Sequence, residues 1–378
     1  MATFSAFVGL DVHKASISVA IADAGREGEV RFWGAIPNTP EAITKLTRKL
    51  SERHGCVEYV YEAGPCGYAV YRQLIAQGLA CRVIAPSHTP KKAADRIKND
   101  TRDAITLARL LRAGELTFVW VPDEIHEAMR DLVRARQKAS HDVRQARQRI
   151  QSFLLRRDRR YAQKSWTKTH GVWLANQSFE HPAQQIAFQS YLNTHGQAMA
   201  RRVELEAQIG ELLPQWSLVP LVHALQAFKG IAQIIAVALV AEIGDFHRFA
   251  SARQLMAYVG VVPGEFSSGS HIRPRGITKA GNVALRALLF EAAWCYHTPA
   301  KVGSFMDARM PADVPQEAKA LAWKAQVRLC GRYRRLIARG KKSQVAVTAV
   351  ARELLGFIWA LATQVLPPPT PSANGSAH

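Results

Sequence analysis

Phe7-Val8-Gly9-Leu10-Asp11-Val12-His13-Lys14 is the stretch that decides the fold of the first part of this chain. A short apolar run carries a single carboxylate, Asp11, at its end, the pattern of a buried strand that finishes in an acid. The next run, Ser16-Ile17-Ser18-Val19-Ala20-Ile21-Ala22-Asp23, alternates small or polar with apolar residues, as a half-buried strand does. Only His13-Lys14-Ala15 separates the two, so they read as a hairpin. A central strand is a stiff element, and a carboxylate on it is held within fractions of an ångström. That suits a metal ligand, although an Asp at a strand end is also common without one.

Outward from this hairpin the pattern continues. Val30 to Ile36 reads as a third strand. Thr39-Pro40-Glu41 starts a helix, with Thr39 as N-cap and Pro40 at the first helical position, running to about Arg53. Val57-Glu58-Tyr59-Val60-Tyr61-Glu62 is a fourth strand, ended by the turn Ala63-Gly64-Pro65-Cys66-Gly67. Tyr68 to Gln77 is a helix closed by Gly78, and Cys81 to Pro86 a fifth strand. A helical region from Thr89 to Ala113 follows, and Leu116 to Val121 reads as one more strand. Three strands, helix, strand, helix, strand, helix is the ribonuclease H order. The alternative is an ordinary doubly wound sheet, but no Gly-rich phosphate loop follows the first strand.

In the ribonuclease-H-like arrangement, a mixed sheet, Asp11 and Glu62 stand at the ends of neighbouring strands. Lys98-Asn99-Asp100-Thr101-Arg102-Asp103-Ala104 puts two more carboxylates three apart, on one face of a helix. Taken alone, these acids are also what a solvated helix start carries, facing the helix dipole. Four converging carboxylates are costly unless cations sit among them, and hard divalent ions take oxygen ligands. Two such ions can clamp the attacking and leaving oxygens of a phosphodiester. Asp, Glu, Asp, Asp in this order is what a RuvC-like nuclease domain shows.

The chain has 378 residues, 48% of them apolar, enough for two or three domains and a sizeable core. Its 50 Lys and Arg against 30 Asp and Glu leave a formal charge of +20, which points to a polyanion, most simply nucleic acid. Part of that excess is concentrated: Met129 to Arg160 holds eleven Lys or Arg and three Asp. From Glu124 on, Ile125, Met129, Leu132, Ala139, Val143, Ala146, Ile150 and Phe153 follow the spacing of a coiled-coil seam, with Arg136 the misfit. Trp166 to Glu180 is a polar, aromatic-dotted break. Pro182 to Trp216 is helical again, with apolar Ile186, Tyr191, Met199, Val203, Ile209 and Leu212. Two long helices around a break suggest a helical hairpin or an intermolecular coiled coil. The basic faces read as a nucleic-acid-contacting arm, with Arg134, Arg144, Arg147 and Arg149 on phosphates, against the alternative of a solvated helix face.

Further on, Phe228-Lys229-Gly230-Ile231, a helix, and Ile243-Gly244-Asp245-Phe246 have the look of a helix-hairpin-helix, whose glycine turns expose N–H groups to phosphate. A buried helix pair with glycine caps fits equally well. Tyr258 to Ser270 is followed by Arg273, Arg275, Lys279 and Arg286: small hydroxyl residues beside guanidinium groups. Such groups bind a scissile phosphate and neutralise a pentacoordinate transition state, help that a weak serine nucleophile needs. On chemistry alone a basic binding loop with no covalent role fits better. Thr278 to Thr298 reads as a helix entered through Gly276 and capped by Thr278; Pro315 to Leu336 and Ser343 to Val365 are two more. From Pro367 onward the composition is that of a disordered tail.

The five cysteines are scattered, odd in number and without zinc spacing, so they read as reduced intracellular thiols. No signal peptide is expected from Met-Ala-Thr-Phe-Ser. The longest apolar run, Ile231 to Ala241, is broken by Gln233 and too short to span a bilayer. The expected division is an acidic catalytic domain over 1–122, a basic helical arm over 123–218, a mainly α domain over 219–366 and a tail over 367–378.

At this point the chain resembles the DEDD-type transposases of insertion-sequence family 110, which include the bridge-RNA-guided recombinases. The matching pieces are Gly9-Leu10-Asp11-Val12-His13-Lys14, Glu62-Ala63-Gly64 with Tyr68, and Lys98 to Ala104. In the C-terminal part they are Gly230-Ile231, Phe249, Ala257 to Pro263, Ser268-Gly269, and Ile277 to Asn282 with Leu285-Arg286. The resemblance implies a RuvC-like site in which Asp11, Glu62, Asp100 and Asp103 hold Mg²⁺. It implies a catalytic serine at Ser268, covalently joined to DNA, with Ser267 an adjacent rival and Ser270 a weaker one. It further implies an acidic domain and a serine domain from different subunits in one composite site. The implied partners are donor and target DNA, a structured guide RNA and further copies of the chain as a dimer or tetramer, in a prokaryotic cytoplasm with no membrane contact. A RuvC-like endonuclease that hydrolyses with water is the rival enzyme. A non-catalytic binding protein is the rival outside enzymes.

Overall fold

β1 (Ala6–Val12) pairs antiparallel with β2 (Ser16–Asp23), and β2 pairs antiparallel with β3 (Val30–Pro37). After α1 (Pro40–His54) the chain returns as β4 (Val57–Glu62), parallel to β1; after α2 (Ala69–Ala76) it returns as β5 (Ala80–Ile84), parallel to β4. The sheet order is β3-β2-β1-β4-β5. This is a computed structural model, and it describes residues 4–85, 99–265, 274–301, 303 and 310–366. The chain divides after Val121 into two compact units.

Alternation along β1 and β4 sends their residues to two different cores. Val8, Leu10, Tyr59 and Tyr61 pack with Leu46 and Leu50 of α1 and with Val70 and Leu74 of α2. The other face carries α3 (Asp100–Ala113), where Val60 meets Leu107 and Leu111. A central strand covered on both faces explains why the opening run reads as nearly continuous apolar sequence.

α3 lies unusually close to the sheet. Ala20 and Ala22 of β2 and Ala104 and Ala108 of α3 are fully buried against one another. A Cβ on Gly9 would overlap the Ala104 carbonyl oxygen and stand 2.5 Å from the Ala108 nitrogen. Gly9→Ala therefore has to push α3 off β1, at a cost of about 1–3 kcal/mol for overpacking. Chemical denaturation measures this; unchanged stability in Gly9→Ala would contradict the packing.

Two expectations change here. Leu116 to Val121 contributes a single antiparallel bridge, Phe118 to Ile84, rather than a strand. The helix before Ala113 is described from Asp100, where the Asn99 side chain caps it by accepting from the Thr101 amide; Thr89 to Lys98 lie outside the described residues.

The second unit starts with α4 (Glu124–Leu155), followed by α5 (Lys168–Ala175) and α6 (Pro182–Leu212). α4 and α6 run antiparallel: Met129 and Val133 share a core with Ile209 and Leu213, while Phe153 at the far end stacks on Phe188 and meets Tyr191. The two long helices thus pair as a hairpin within one chain. The seam holds at Met129, Ala139, Val143, Ala146, Ile150 and Phe153, but Ile125 is 63% exposed while His126 and Val133 are buried. Arg136 is no misfit, because its guanidinium pairs across the hairpin with Glu206. In α6, Ile186 and Val203 are exposed and Phe188 is buried, since Phe153 and Phe179 gather on a different face.

α7 (Val219–Leu225), α8 (Gln233–Ile243) and α9 (Ala252–Val259) lead to a two-stranded hairpin, β6 (Pro263–Glu265) and β7 (Pro274–Ile277). α10 (Val283–Trp294), α11 (Gln316–Ala338) and α12 (Ser343–Val365) complete the unit. α10 starts at Val283, not Thr278. Lys279 and Gly281 hold left-handed backbone angles that break any earlier helix, and Asn282 caps it by accepting from the Ala284 and Leu285 amides. The glycine turns do not form an open phosphate-facing hairpin. A Cβ on Gly230 would overlap the Ala292 carbonyl of α10, and the Gly244 amide closes α8 onto Val240. This is the buried helix pair with glycine caps.

α12 is a longer apolar segment than the run from Ile231 to Ala241, and it is long and apolar enough to cross a bilayer. Its Val350, Ala351, Leu354, Leu355 and Ile358 are fully buried in the core of the second unit.

Candidate metal centre and nucleic-acid surface

Asp11 projects from β1 on the face that carries α3, because it shares the parity of Gly9. The β1–β4 register ends at Leu10 opposite Tyr61, so the next step along both strands brings Asp11 level with Glu62. Glu62 has the parity of Val60, which packs on α3, so both acids stand on one face. Asp100 and Asp103 occupy the first turn of α3, delivered by the close approach of Gly9 and Ala104. Acids there also meet the favourable end of the helix dipole.

One ligand atom each of Asp11, His13 and Asp100 lies within 4.8 Å of the others. His13 Nε2 stands 3.1 Å from an Asp11 carboxylate oxygen and 3.5 Å from one of Asp100. The His13 turn is itself braced: its amide donates to Ser16, and Asn38 donates to its carbonyl. Burial pushes the Asp11 carboxyl above its usual range; His13 opposes this, and the charges of Asp100 and Asp103 add to it. An acid crowded by two like charges on a rigid strand is a donor set that a hard cation would relieve. Sequence reasoning gives His13 only the role of a turn residue. The available signal was its position, two residues after a strand-end Asp.

The basic candidates separate into two kinds. Arg144 and Arg149 are exposed on α4. Arg149 also lines an open groove of about 340 Å³ with Gln145, Gln148, Ser152, Arg156 and Tyr191, all donors or rings that suit nucleic acid. Lys279 is exposed beside the β7 exit.

Arg134, Arg147 and Arg286 are engaged inside the protein instead. Arg134 forms a two-pronged ion pair with Glu242 of α8, at 2.8 and 2.9 Å. Arg147 lies over the Trp166 ring and donates to His195 and Met199, which clamps α4 to α6. Arg286 is buried and donates to the carbonyls of Val259, Ala280 and Gly281. Ser267, Ser268, Ser270 and Arg273 lie outside the described residues, as does the Arg275 side chain.

This sorting sets an expectation for the arm. Changing Arg144, Arg149 and Arg156 to Ala flattens the log–log salt dependence of duplex binding by roughly 0.9 for each phosphate no longer neutralised. Changing Arg134 to Ala instead strands a buried carboxylate and lowers stability. An unchanged salt slope in the triple variant would assign the arm a purely structural role.

A transposase family profile, the DEDD type of IS110, matches residues 8–157, and that of the transposase IS116/IS110/IS902 family matches residues 222–302. A putative transposase (y4qE) of Sinorhizobium fredii (strain NBRC 101917 / NGR234) is 48% identical over 360 residues, 95% of this chain and 89% of the relative. The transposase for insertion sequence element IS1533 of Leptospira borgpetersenii is 31% identical over 340 residues, covering 89% and 98%. The transposase for insertion sequence element IS1111A of Coxiella burnetii is 29% identical over 276 residues, covering 69% and 71%. With likeness on this scale running from β1 to the C-terminal helices, the chain belongs to the IS116/IS110/IS902 family of insertion-sequence transposases.

Proposed function

We propose that this transposase excises and inserts its element by metal-assisted strand cleavage and exchange through a DNA-linked serine. Asp11, Glu62, Asp100 and Asp103 would hold Mg²⁺ in a RuvC-like, ribonuclease-H-like domain, and Ser268 is the nucleophile. The observation that carries this is the convergence of strand-end and helix-start carboxylates on the α3 face of β1. The sheet order β3-β2-β1-β4-β5, with β1 central, supports the domain reading.

A divalent ion bound by these oxygens would neutralise charge on the phosphate and polarise the attacking group. The chain's own residues do the rest. β1 and α3 hold the acids at fixed separation. The Ser268 hydroxyl forms an ester with the phosphorus as one P–O bond to deoxyribose breaks, freeing a sugar hydroxyl. A second sugar hydroxyl then displaces serine, so bond energy is kept through the exchange. The charge excess and the exposed arm guanidiniums support a large nucleic-acid partner, which we take to be DNA ends together with an element-encoded guide RNA, bound by a homo-oligomer.

The test uses a nicked suicide substrate carrying an element end, with guide RNA and Mg²⁺. A protein–DNA adduct should accumulate, and chelation should prevent it. Metal-dependent hydrolysed ends with no adduct would favour the structure-specific endonuclease.

A further inference from the structure

Glu242 is a carboxylate in the wrong company. Every residue of α8 from Ala236 to Ile243 is buried, and the Glu242 side chain is 2% exposed. A charge in such a helix is costly unless its partners are complete. They are complete, and they come from two distant parts of the chain. From the arm, Arg134 of α4 grips both oxygens. From the other side, the Asn282 amide nitrogen donates at 2.7 Å. The Asn282 orientation is settled by its oxygen, which accepts from the Ala284 and Leu285 amides at the start of α10. Its nitrogen is left to find an acceptor, and Glu242 supplies one.

Asn282 closes the segment that leaves β7, so this network reaches the hairpin carrying the proposed serine. The base of that hairpin is tightly built. Thr278 and Lys279 amides donate to Val262 and Gly260 carbonyls, tying the exit of β7 to the entry of β6. Gly260 and Gly281 pass each other so closely that a Cβ on Gly260 would overlap the Ala280 oxygen, and one on Gly281 the Tyr258 oxygen. Both have left-handed backbone angles that favour glycine. Arg286 then ties three carbonyls from both legs.

We propose that Glu242 is a positioning residue that fastens the serine hairpin to the arm helix, so that α4, the start of α10 and the base of β6–β7 are held as one unit. The proposal rests on the serine reading above for its effect on chemistry, but not for its effect on the hairpin. Arg134 is half exposed on the arm, so the link runs from a solvent-reaching position on α4 to the base of the β6–β7 hairpin.

Two variants test it. Glu242→Gln keeps the side-chain shape and removes the charge that holds Arg134. Arg134→Lys keeps the cation and gives up the two-pronged grip. In full-length Glu242→Gln, hydrogen exchange at the Thr278 and Lys279 amides should rise about tenfold or more, while α12 amides keep wild-type protection. Affinity for the DNA should stay within about twofold, and adduct formation at saturating DNA should fall about 100-fold, as for a small misplacement of a reacting group. Arg134→Lys should move both readouts the same way by less. If Glu242→Gln does not fold, Arg134→Lys decides by itself. Unchanged exchange at Thr278 and Lys279, or loss of binding in step with rate, would overturn the proposal. Wild-type protein that gives no serine adduct, with the exchange difference intact, overturns the serine reading and leaves the positioning role standing.

Discussion

Asp11→Asn is expected to lower DNA strand cleavage by about a thousandfold or more while changing nucleic-acid affinity by no more than about twofold. The size follows from what the carboxylate does. Charge stabilisation of a phosphoryl transition state by a bound ion is worth several kcal/mol, and each 1.4 kcal/mol is about tenfold in rate. Asn keeps the shape of Asp and removes the charge, so β1 still pairs and α3 still packs. Burial disfavours the Asp11 charge, with Asp100 and Asp103 adding to this and His13 opposing it, so on balance removing the charge relieves a cost. The folded protein should be as stable as wild type or slightly more so. Binding, by contrast, depends on exposed Arg and Lys elsewhere, which the substitution does not touch. Asp103→Asn should behave alike. Gel assays of cleavage with parallel binding isotherms and melting curves separate these effects. Near wild-type cleavage in Asp11→Asn would remove the acids from the chemistry.

Ser268→Ala should yield no covalent adduct and no recombination, whereas Ser267→Ala should retain both. Strand exchange without an outside energy source needs a carrier that keeps the phosphoester bond energy, and a hydrolysed end no longer has it. The loop sits between two legs that the structure binds tightly, with Lys279 exposed beside the exit of β7. Within the loop, Gly269 follows Ser268 and lets the backbone adopt angles closed to other residues, which favours the hydroxyl just before it. Digestion of the trapped adduct and mass spectrometry of the nucleotide-bearing peptide locate the ester. An adduct on Ser267, or recombination surviving in Ser268→Ala, defeats the assignment. The Asp11 and Ser268 variants also differ in kind. Both are expected to stop recombination, but only Ser268→Ala should leave the carboxylates proposed to hold the metal unaltered.

Most strands of the first unit were legible in the residues alone, but Leu116 to Val121 gives only a bridge, and β2, which its alternation marks as half-buried, is covered on both faces because α3 packs on Ala20 and Ala22. Period-two alternation is a local property, written within a few residues of each Cα, and it sent Asp11 and Glu62 to one side of neighbouring strands. Thr39 capping α1 and the helix from Ser343 to Val365 were legible for the same reason. Asp100 and Asp103 were recognisable as a pair by their spacing, but what delivers them is Gly9, whose missing Cβ matters only because Ala104 arrives from far along the chain. The fates of charged side chains were decided later still. Arg134, Arg144 and Arg286 look alike in sequence. Arg144 remains in solvent, Arg134 meets a buried Glu242, and Arg286 is enclosed by three carbonyls. His13 likewise becomes part of the acid group because a turn braced by Asn38 folds it back over β1. The sequence by itself determined where most strands and helices run, because those follow from covalent neighbours and a fixed repeat. Only the tertiary structure decided which charges reach solvent and which are spent on holding the fold, because a charge's environment is set by residues that chain connectivity leaves far apart.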